Sequence, residues 1–437
     1  MKNVKSNPSL RVSEANAAIH ESKIDGYFAS LVNPTDCHDL QSKSCNDDKN
    51  YKRFAVCFVW ILFVACVISA LLGILLYIYD PFMFFHKPYF RATTYHSDKR
   101  ISAKGIIDYG EFDGVFMGSS IFENLSPKEA NEKLGGKWVN LSISALSVSE
   151  RNVMLKSLFK HKKTKRIIYS IEGWELVRLD DKKADLLRAA NDIPKRIHTD
   201  YLQLYDKNNS LKKFSFYANK RFINCALSYS KKPECVGEKE LPLFGGWYIS
   251  NKNNFGGFEK WNDGTKKYIV KQLLQTQEIQ NVSLEIKKIK DKIQQNIFLF
   301  VRENPNVEFY FIVSTHSRLS YRLPKIAWAE QIIPAQQYFK YHKTMLKWFV
   351  EEVAKYQNAT IYGFDDLDYA DDLANYCDDI HYNLDMNSLQ LDAIANGTHI
   401  LTPQNIDTYL ATMESKIKNY DITPLIAEIK AWEAQQM

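Results

Sequence analysis

The chain has 437 residues, of which 45% are hydrophobic, 25% charged and 13% aromatic, so it is long enough to bury a sizeable core. Its net charge of +6 comes from 57 basic and 51 acidic residues, and the basic residues form no dense stripe. This mild charge argues against a nucleic-acid partner, and no repeat of fixed period is visible in the sequence.

The segment 54–79, FAVCFVWILFVACVISALLGILLYIY, contains no charged residue. A helix needs roughly 20 apolar residues to cross a bilayer core, so we predict one transmembrane helix here. The alternative is a buried core helix, which seldom runs this long without a polar face. The segment is also too long, and too far from Met1, for an ordinary cleaved signal peptide.

Basic residues flank this segment on both sides: Lys49, Lys52 and Arg53 precede it, and Lys87 and Arg91 follow it. The weak positive-inside bias favours an N-terminus in the cytosol. Residues 1–53 are polar and lack periodicity, which is typical of a disordered segment, so we predict a mostly disordered cytosolic tail. Residues 80–437 are then a domain outside the cytoplasmic membrane.

After Ile106, short apolar strands alternate with amphipathic helices. The predicted strands are 114–118, 137–143, 164–171, 306–314 and 359–364, and the predicted helices are 126–135, 147–162, 284–304 and 335–357. Ser126 is the predicted N-cap of the first helix, with Pro127 at its first position. This alternation predicts an α/β fold, a parallel sheet with helices on both faces, whose ligands bind at the carboxyl ends of the strands.

The alternation is lost between about 176 and 275, which predicts an insertion. Part of it, FGGWYISNKNNFGGFEKWNDG, combines glycines with aromatic residues. One interpretation is a purely structural insertion with a small aromatic core. The other is a lid or substrate platform, because aromatic faces stack on sugar rings. Cys225 and Cys235 lie close enough to close a disulfide in an oxidising compartment; the alternative is two unrelated thiols.

Two short stretches carry candidate chemistry. Gly118, Ser119 and Ser120 follow the first predicted strand, as a small turn or as the position of a nucleophile. Asp378 and His381, in NYCDDIHYN, follow the last predicted strand. A carboxylate beside an imidazole fixes its tautomer and stabilises the imidazolium; a capping or surface histidine is the alternative.

This combination resembles the SGNH/GDSL hydrolase superfamily, in which a G-x-S nucleophile follows the first strand and D-x-x-H forms the last block. The resemblance implies a flavodoxin-like three-layer fold with Ser120 as nucleophile, His381 as general base and acid, and Asp378 as the orienting carboxylate. If the alignment to the family motifs were shifted by one residue, the neighbouring Ser119 and Asp379 would take the roles of Ser120 and Asp378.

The middle blocks depart from the family pattern. Ala145 stands where the family has a glycine, and Glu172 stands where it has an asparagine that donates to the oxyanion. Alanine keeps its backbone N–H, but an ionised carboxylate cannot donate to an oxyanion and would repel it. Losing one oxyanion donor costs roughly 10²–10³ in rate.

A narrower resemblance is to the membrane-anchored, envelope-modifying branch, which includes the D-alanine transfer protein of teichoic acid synthesis and the alginate O-acetylation proteins. It implies a serine O-acyltransferase or esterase that modifies a cell-envelope polysaccharide. It also implies a single-pass protein of the bacterial cytoplasmic membrane with a periplasmic domain, and a multispanning membrane partner that supplies acyl groups. The alternatives are a non-catalytic glycan-binding or assembly subunit, which Ala145 and Glu172 favour, and a tethered sensor.

His316 follows a strong predicted strand and has hydroxyl-bearing neighbours. It is either a substrate contact or a histidine of a surface loop. No His or Cys cluster has metal-ligand spacing, and neither a P-loop nor a dinucleotide fingerprint is present, so we expect no cofactor.

Overall fold

A computed structural model describes residues 40–95, 99–161, 164–173, 175–176, 201–205, 210–218, 220–228, 235, 246–274, 285–326 and 332–436. Most of the predicted tail and much of the predicted insertion lie outside these ranges. The chain divides into two compact units, and the second begins at Leu75.

The first described element is helix α1, Leu40–Tyr79. Its stretch Asn50–Tyr79 has a mean hydropathy of 2.9 and is long and apolar enough to cross a membrane. Apolar side chains along it are exposed, as at Trp60 and Ile61. The helix begins before the apolar segment, so residues 40–53 are helical rather than disordered. No Gly or Pro interrupts them, so the helix extends from the apolar stretch at little cost.

The second unit is built on a six-stranded sheet with strand order β2-β1-β3-β4-β7-β8. Its strands are β1 (Gly114–Met117), β2 (Trp138–Asn140), β3 (Arg166–Ile171), β4 (Glu308–Val313), β7 (Ala359–Tyr362) and β8 (Ile400–Leu401). The first five strands in this order are parallel, and β8 pairs antiparallel with β7. A separate antiparallel pair joins β5 (Lys325–Ile326) to β6 (Ile332–Ile333).

Helices lie at all four positions that the sequence predicts, and others lie before β1, in the predicted insertion, where Tyr248–Asn251 is a single helical turn, and after β7. They are α2 (Lys99–Tyr109), α3 (Pro127–Leu134), α4 (Val148–His161), α5 (Ser210–Tyr217), α6 (Lys220–Leu227), α7 (Asp263–Leu274), α8 (Ile286–Ile293, continued through a π turn at Gln294–Phe298 to Leu299–Glu303), α9 (Ala335–Val353), α10 (Leu384–Asn396), α11 (Ile406–Asn419) and α12 (Thr423–Gln436). Ser126 caps α3 as predicted, because its Oγ accepts a hydrogen bond from the Glu129 N–H at 3.2 Å.

The sheet has a hydrophobic core on each face, because successive strand residues point to opposite sides. Val115 and Ile167 belong to the core that includes residues of α2, α4, α8, α9 and α11. Phe116 and Ile168 belong to the core on the other face, which includes residues of α3 and α10. The predicted α/β architecture with helices on both faces is therefore confirmed.

One strand differs from the prediction, and one of the two predicted alternatives for the cysteine pair, the disulfide, is confirmed. Residues 359–364 were predicted to contain the last strand, but β8 follows and is antiparallel. A two-residue strand is too short to show alternation, so the sequence carries no periodic signal for it. In the insertion, Cys225 and Cys235 form a disulfide.

Candidate active site

The turn after β1 places Ser120 at the carboxyl end of the sheet. A Cβ at Gly118 would lie 2.6 Å from Ser170 Oγ and 2.8 Å from Phe122 Cβ, so only glycine fits without displacing its neighbours. Ser120 then begins a short 3₁₀ turn. This tight passage between strand and turn presents the Ser120 hydroxyl at the edge where parallel sheets bind ligands.

Three side chains meet at this edge. Ser120 Oγ lies 2.7 Å from His381 Nε2, although the two residues are 261 positions apart. His381 Nδ1 lies 2.6 Å from Asp378 Oδ2. The carboxylate can only accept, so the Nδ1 proton faces Asp378 and Nε2 is left to accept the hydrogen bond that the Ser120 hydroxyl donates.

The loop itself holds Asp378 in place. Its Oδ1 accepts hydrogen bonds from the backbone N–H groups of Ile380 at 2.8 Å and His381 at 2.7 Å. One carboxylate oxygen therefore fixes the loop and the other faces the imidazole. This local Asx-type geometry is what the D-x-x-H spacing provides.

Asp378 and His381 shift each other's proton affinity. Burial alone would raise the pKa of Asp378, but His381 and the hydrogen bonds to its carboxylate lower it to about 2. Burial alone would lower the pKa of His381, but the Asp378 carboxylate outweighs burial and raises it above its ordinary value. The pair thus favours a charged imidazolium once His381 accepts a proton.

Ser119 and Asp379 do not join this arrangement. Ser119 is buried, and its hydroxyl has no partner in the described part of the chain. The Asp379 carboxylate lies 3.3 Å from Lys325 Nζ. The structure thus brings together Ser120, Asp378 and His381. It does not support Ser119 or Asp379 in their place.

Ala145 lies in an exposed loop beside the nucleophile turn. Its φ of 56° falls in the left-handed region that favours glycine. Ile143 N–H donates to the Gly118 carbonyl at 3.1 Å, which ties this loop to the Ser120 turn. In the described part of the chain, the N–H groups of Ala145 and Ser120 have no hydrogen-bond acceptor.

Glu172 follows β3 and is buried. Its carboxylate lies 3.1 Å from Arg151 Nη2 and accepts a hydrogen bond from Ser170 Oγ at 3.2 Å. Arg151 also contacts Glu175 at 2.8 Å. Burial would lower the pKa of Arg151, but the nearby carboxylates raise it. Glu172 is therefore bound to a buried cation and is not a free charge at the site.

His316 lies in the loop after β4 and is buried rather than on a surface loop, with 4% of its surface exposed. Neither ring nitrogen has a partner in the described part of the chain. Burial, with a contribution from Lys325, lowers its pKa to about 3. His316 lines a cavity of about 570 Å³ that Asp378 also borders.

Trp247 is one of the aromatic residues of the predicted insertion, and the sequence did not reveal that it contacts the nucleophile turn. Its Nε1–H donates a 2.7 Å hydrogen bond to the Ser120 carbonyl. Its ring meets the His381 ring edge-on, with 5.1 Å between centroids. The Tyr248 N–H donates to Asn124 Oδ1 at 3.0 Å, which holds this segment against the nucleophile turn. The glycine and aromatic composition marked the stretch as unusual but did not identify this contact.

Sequence reasoning also missed Asn140, at the end of β2. Its buried amide donates to the carbonyls of Phe122, Glu123 and Leu125 at 2.7, 3.2 and 2.9 Å. The Asn140 amide therefore provides hydrogen bonds to the carbonyl groups at the end of the turn that begins at Ser120. An asparagine ending a buried strand was the only signal for this role.

No group of three or more His, Cys, Asp or Glu side chains in the described ranges could hold a metal ion. No protein-family model matches the sequence, and no curated protein matches it. A solved structure from Streptococcus pneumonia, provisionally described as a platelet activating factor, is similar at 11% identity with a TM-score of 0.33. It covers 69% of this chain and 91% of its own. This likeness is too distant to assign a family or an activity.

Proposed function

We propose that this protein is a serine O-acyltransferase or esterase of the SGNH type that modifies a cell-envelope polysaccharide. The observation that carries the proposal is the continuous contact from Ser120 Oγ through His381 to Asp378, at 2.7 and 2.6 Å. Nucleophile, base and orienting carboxylate within hydrogen-bond reach are the signature of covalent acyl transfer.

In the first half-reaction, Ser120 Oγ attacks the carbonyl carbon of an acyl donor while its proton passes to His381 Nε2. The new C–O bond forms as the carbonyl π electrons move onto oxygen. The N–H groups of Ser120 and Ala145 are the donors available to that oxyanion. The intermediate collapses, His381 returns the proton to the leaving oxygen, and an acyl-enzyme remains on Ser120.

In the second half-reaction, a sugar hydroxyl or water attacks the acyl carbon. His381 takes the proton of the attacking group and then gives it to Ser120 Oγ as the ester bond breaks. Transfer results when a sugar hydroxyl occupies the site and water is excluded; hydrolysis results when water attacks.

The proposed location is the bacterial cytoplasmic membrane, with α1 as a single-pass anchor, the N-terminus in the cytosol and the α/β unit outside. The apolar stretch of α1 supports the anchor. The disulfide between Cys225 and Cys235 supports an oxidising compartment for the α/β unit. One span cannot carry acyl groups across a membrane, so we propose a multispanning membrane partner that supplies them.

Labelling with a fluorophosphonate probe tests the nucleophile. We expect the full-length protein in detergent to label and the Ser120→Ala variant not to label. Ser119→Ala is the matched control, because its hydroxyl is adjacent in sequence but does not face His381, and it should keep labelling. Equal labelling of the Ser120→Ala variant and the unchanged protein would show that Ser120 is not the nucleophile.

A non-catalytic glycan-binding or assembly subunit is the second candidate. Its support is that Glu172 is bound to Arg151, so this position supplies no side-chain donor to an oxyanion. The two candidates differ in cells: Ser120→Ala abolishes acylation of the envelope glycan if the protein is the transferase. It leaves acylation unchanged if the protein only binds or assembles.

A further inference from the structure

A cavity of about 570 Å³ lies beside the Asp378 side of the site, and neither Ser120 nor His381 lines it. Its walls come from the start of α7, the loop after β4, Lys325 of β5, Tyr338 of α9 and the loop that carries Asp378. Its volume lies within the range of small-molecule pockets. A ligand in it would lie next to the carboxylate that orients His381.

His316 is a buried polar group in this wall. Both of its ring nitrogens lack a partner in the described part of the chain. A buried polar atom without a partner is unfavourable, and a ligand in the cavity would relieve this. Because burial lowers its pKa to about 3, the imidazole is neutral at physiological pH and offers one donor and one acceptor.

The charged groups in the wall disfavour a charged ligand. Lys325 Nζ lies 3.3 Å from Asp379 Oδ2 and donates to Ser320 Oγ at 2.8 Å. The Asp378 carboxylate is engaged by His381. Each of these charges therefore already has a partner, so the described part of the wall offers no unpaired counter-charge to an anionic or a cationic ligand.

The remaining polar groups in the wall are uncharged: the amide of Asn262, the hydroxyl of Thr265 and the phenols of Tyr268 and Tyr338. The Asn262 Oδ1 accepts from the Thr265 N–H at 2.9 Å, which fixes this amide at the start of α7. Tyr268 is 43% exposed and combines an apolar ring face with a hydroxyl. Such a wall matches a ligand with several hydroxyls and an apolar face.

We propose that this cavity binds a neutral sugar unit of the polysaccharide, with His316 and Tyr268 as its contacts. The assignment of this sugar to the polysaccharide substrate rests on the proposed function; the binding of a neutral sugar here does not. A sugar held here lies on the Asp378 side of His381, whereas the Nε2 atom that takes a proton faces Ser120, so this sugar is a neighbour of the unit that presents the acceptor hydroxyl.

Binding is measured with the full-length Ser120→Ala protein in detergent, so that no turnover occurs. The probes are neutral hexose and N-acetylhexosamine oligosaccharides, compared with uronic-acid oligosaccharides, on an array and then by calorimetry. We expect neutral oligosaccharides to bind and uronic acids not to bind. Adding His316→Gln or Tyr268→Phe should weaken binding by about three- to ten-fold, the effect of one lost hydrogen bond.

His342→Gln is the matched control. His342 is also buried with two unpartnered ring nitrogens, but it does not line the cavity, so its substitution should leave the dissociation constant unchanged. Tyr268→Phe keeps the test valid if the His316→Gln variant does not fold, because Tyr268 lies at the surface.

Three outcomes would overturn the inference: no neutral oligosaccharide binds, uronic acids bind in their place, or Tyr268→Phe leaves affinity unchanged. Failure of the proposed function is separate. Sugar binding without fluorophosphonate labelling of Ser120 would retain the sugar site and remove the acyl-transfer mechanism, whereas labelling without sugar binding would do the reverse.

Discussion

The indole N–H of Trp247 donates a hydrogen bond to the backbone carbonyl of Ser120 over 2.7 Å. The same ring contacts the edge of the His381 imidazole. One side chain of the insertion therefore touches both members of the reacting pair from outside the α/β core. We infer that Trp247 is a positioning residue, which holds the Ser120 turn and the His381 imidazole at their relative positions.

Replacing Trp247 with Phe should slow fluorophosphonate labelling of Ser120 by about three- to ten-fold. The phenyl ring keeps an apolar surface against His381 but loses the N–H that binds the Ser120 carbonyl, and one neutral hydrogen bond is worth about 0.5–1.5 kcal/mol. The measurement is the second-order labelling rate constant. Trp348→Phe is the control, because Trp348 lies on α9 and packs against Phe298; equal slowing in both variants would contradict a positioning role.

The labelling rate should rise with pH through the pKa of His381, which lies above its ordinary value near 6.5. His381 must be neutral to take the Ser120 proton, so the imidazolium form below this pKa is inactive. Asp378→Asn removes the charge that raises the pKa, so the inflection should move to lower pH. The rate should also fall by about 10⁴-fold, because an asparagine favours the wrong imidazole tautomer.

Asp379→Asn is the matched control for this profile. Asp379 is adjacent in sequence but is bound to Lys325, so it should shift the inflection less than Asp378→Asn does. The profile is recorded from pH 5 to 9 with excess probe. Equal shifts in the two variants would show that Asp378 is not the carboxylate that raises the pKa of His381.

The sequence predicted the parts of the fold that follow from local signals. Alternating apolar strands and amphipathic helices predicted five sheet strands, and Ser126 with Pro127 predicted the start of α3. The contact between Ser120 and His381 was expected from the resemblance to the SGNH/GDSL superfamily, and the two side chains lie 2.7 Å apart.

Contacts that depend on burial or on irregular segments left no such signal. The pairing of Glu172 with Arg151 joins the end of β3 to the first turn of α4, and charge alone does not show which carboxylate a buried arginine will contact. Trp247 lies in a segment without periodicity, so nothing in the pattern placed it beside Ser120. Ala145 adopts a left-handed φ without being glycine, which residue type does not reveal.

Replacing Glu172 with Gln should not accelerate labelling of Ser120. If its carboxylate repelled the oxyanion, removing the charge should raise the rate towards the 10²–10³-fold that one donor is worth. Because the carboxylate is bound to Arg151, we expect a change of less than ten-fold. The same variant should lower stability by about 1–3 kcal/mol through the weakened buried hydrogen bonds, measured by urea denaturation in detergent.

Arg151→Met should lower the free energy of unfolding more than Glu172→Gln does, because it removes one partner of a buried ion pair. Arg151 is fully buried between the carboxylates of Glu172 and Glu175. Removing the cation leaves both carboxylates without it, at a cost of about 3–5 kcal/mol. Equal urea midpoints for the two variants would show that the arginine does not hold these carboxylates.

The disulfide between Cys225 and Cys235 tests the proposed location of the α/β unit. In an oxidising compartment both cysteines should resist a maleimide in intact cells and react only after reduction and unfolding. Cys377 is buried and unpaired, so it should react after unfolding without reduction, which provides an internal control read by mass spectrometry. Replacing the pair with serines should lower stability by about 2–3 kcal/mol, since the bond closes a short loop. Free thiols at both positions in cells would place this unit in the cytosol and contradict the proposed topology.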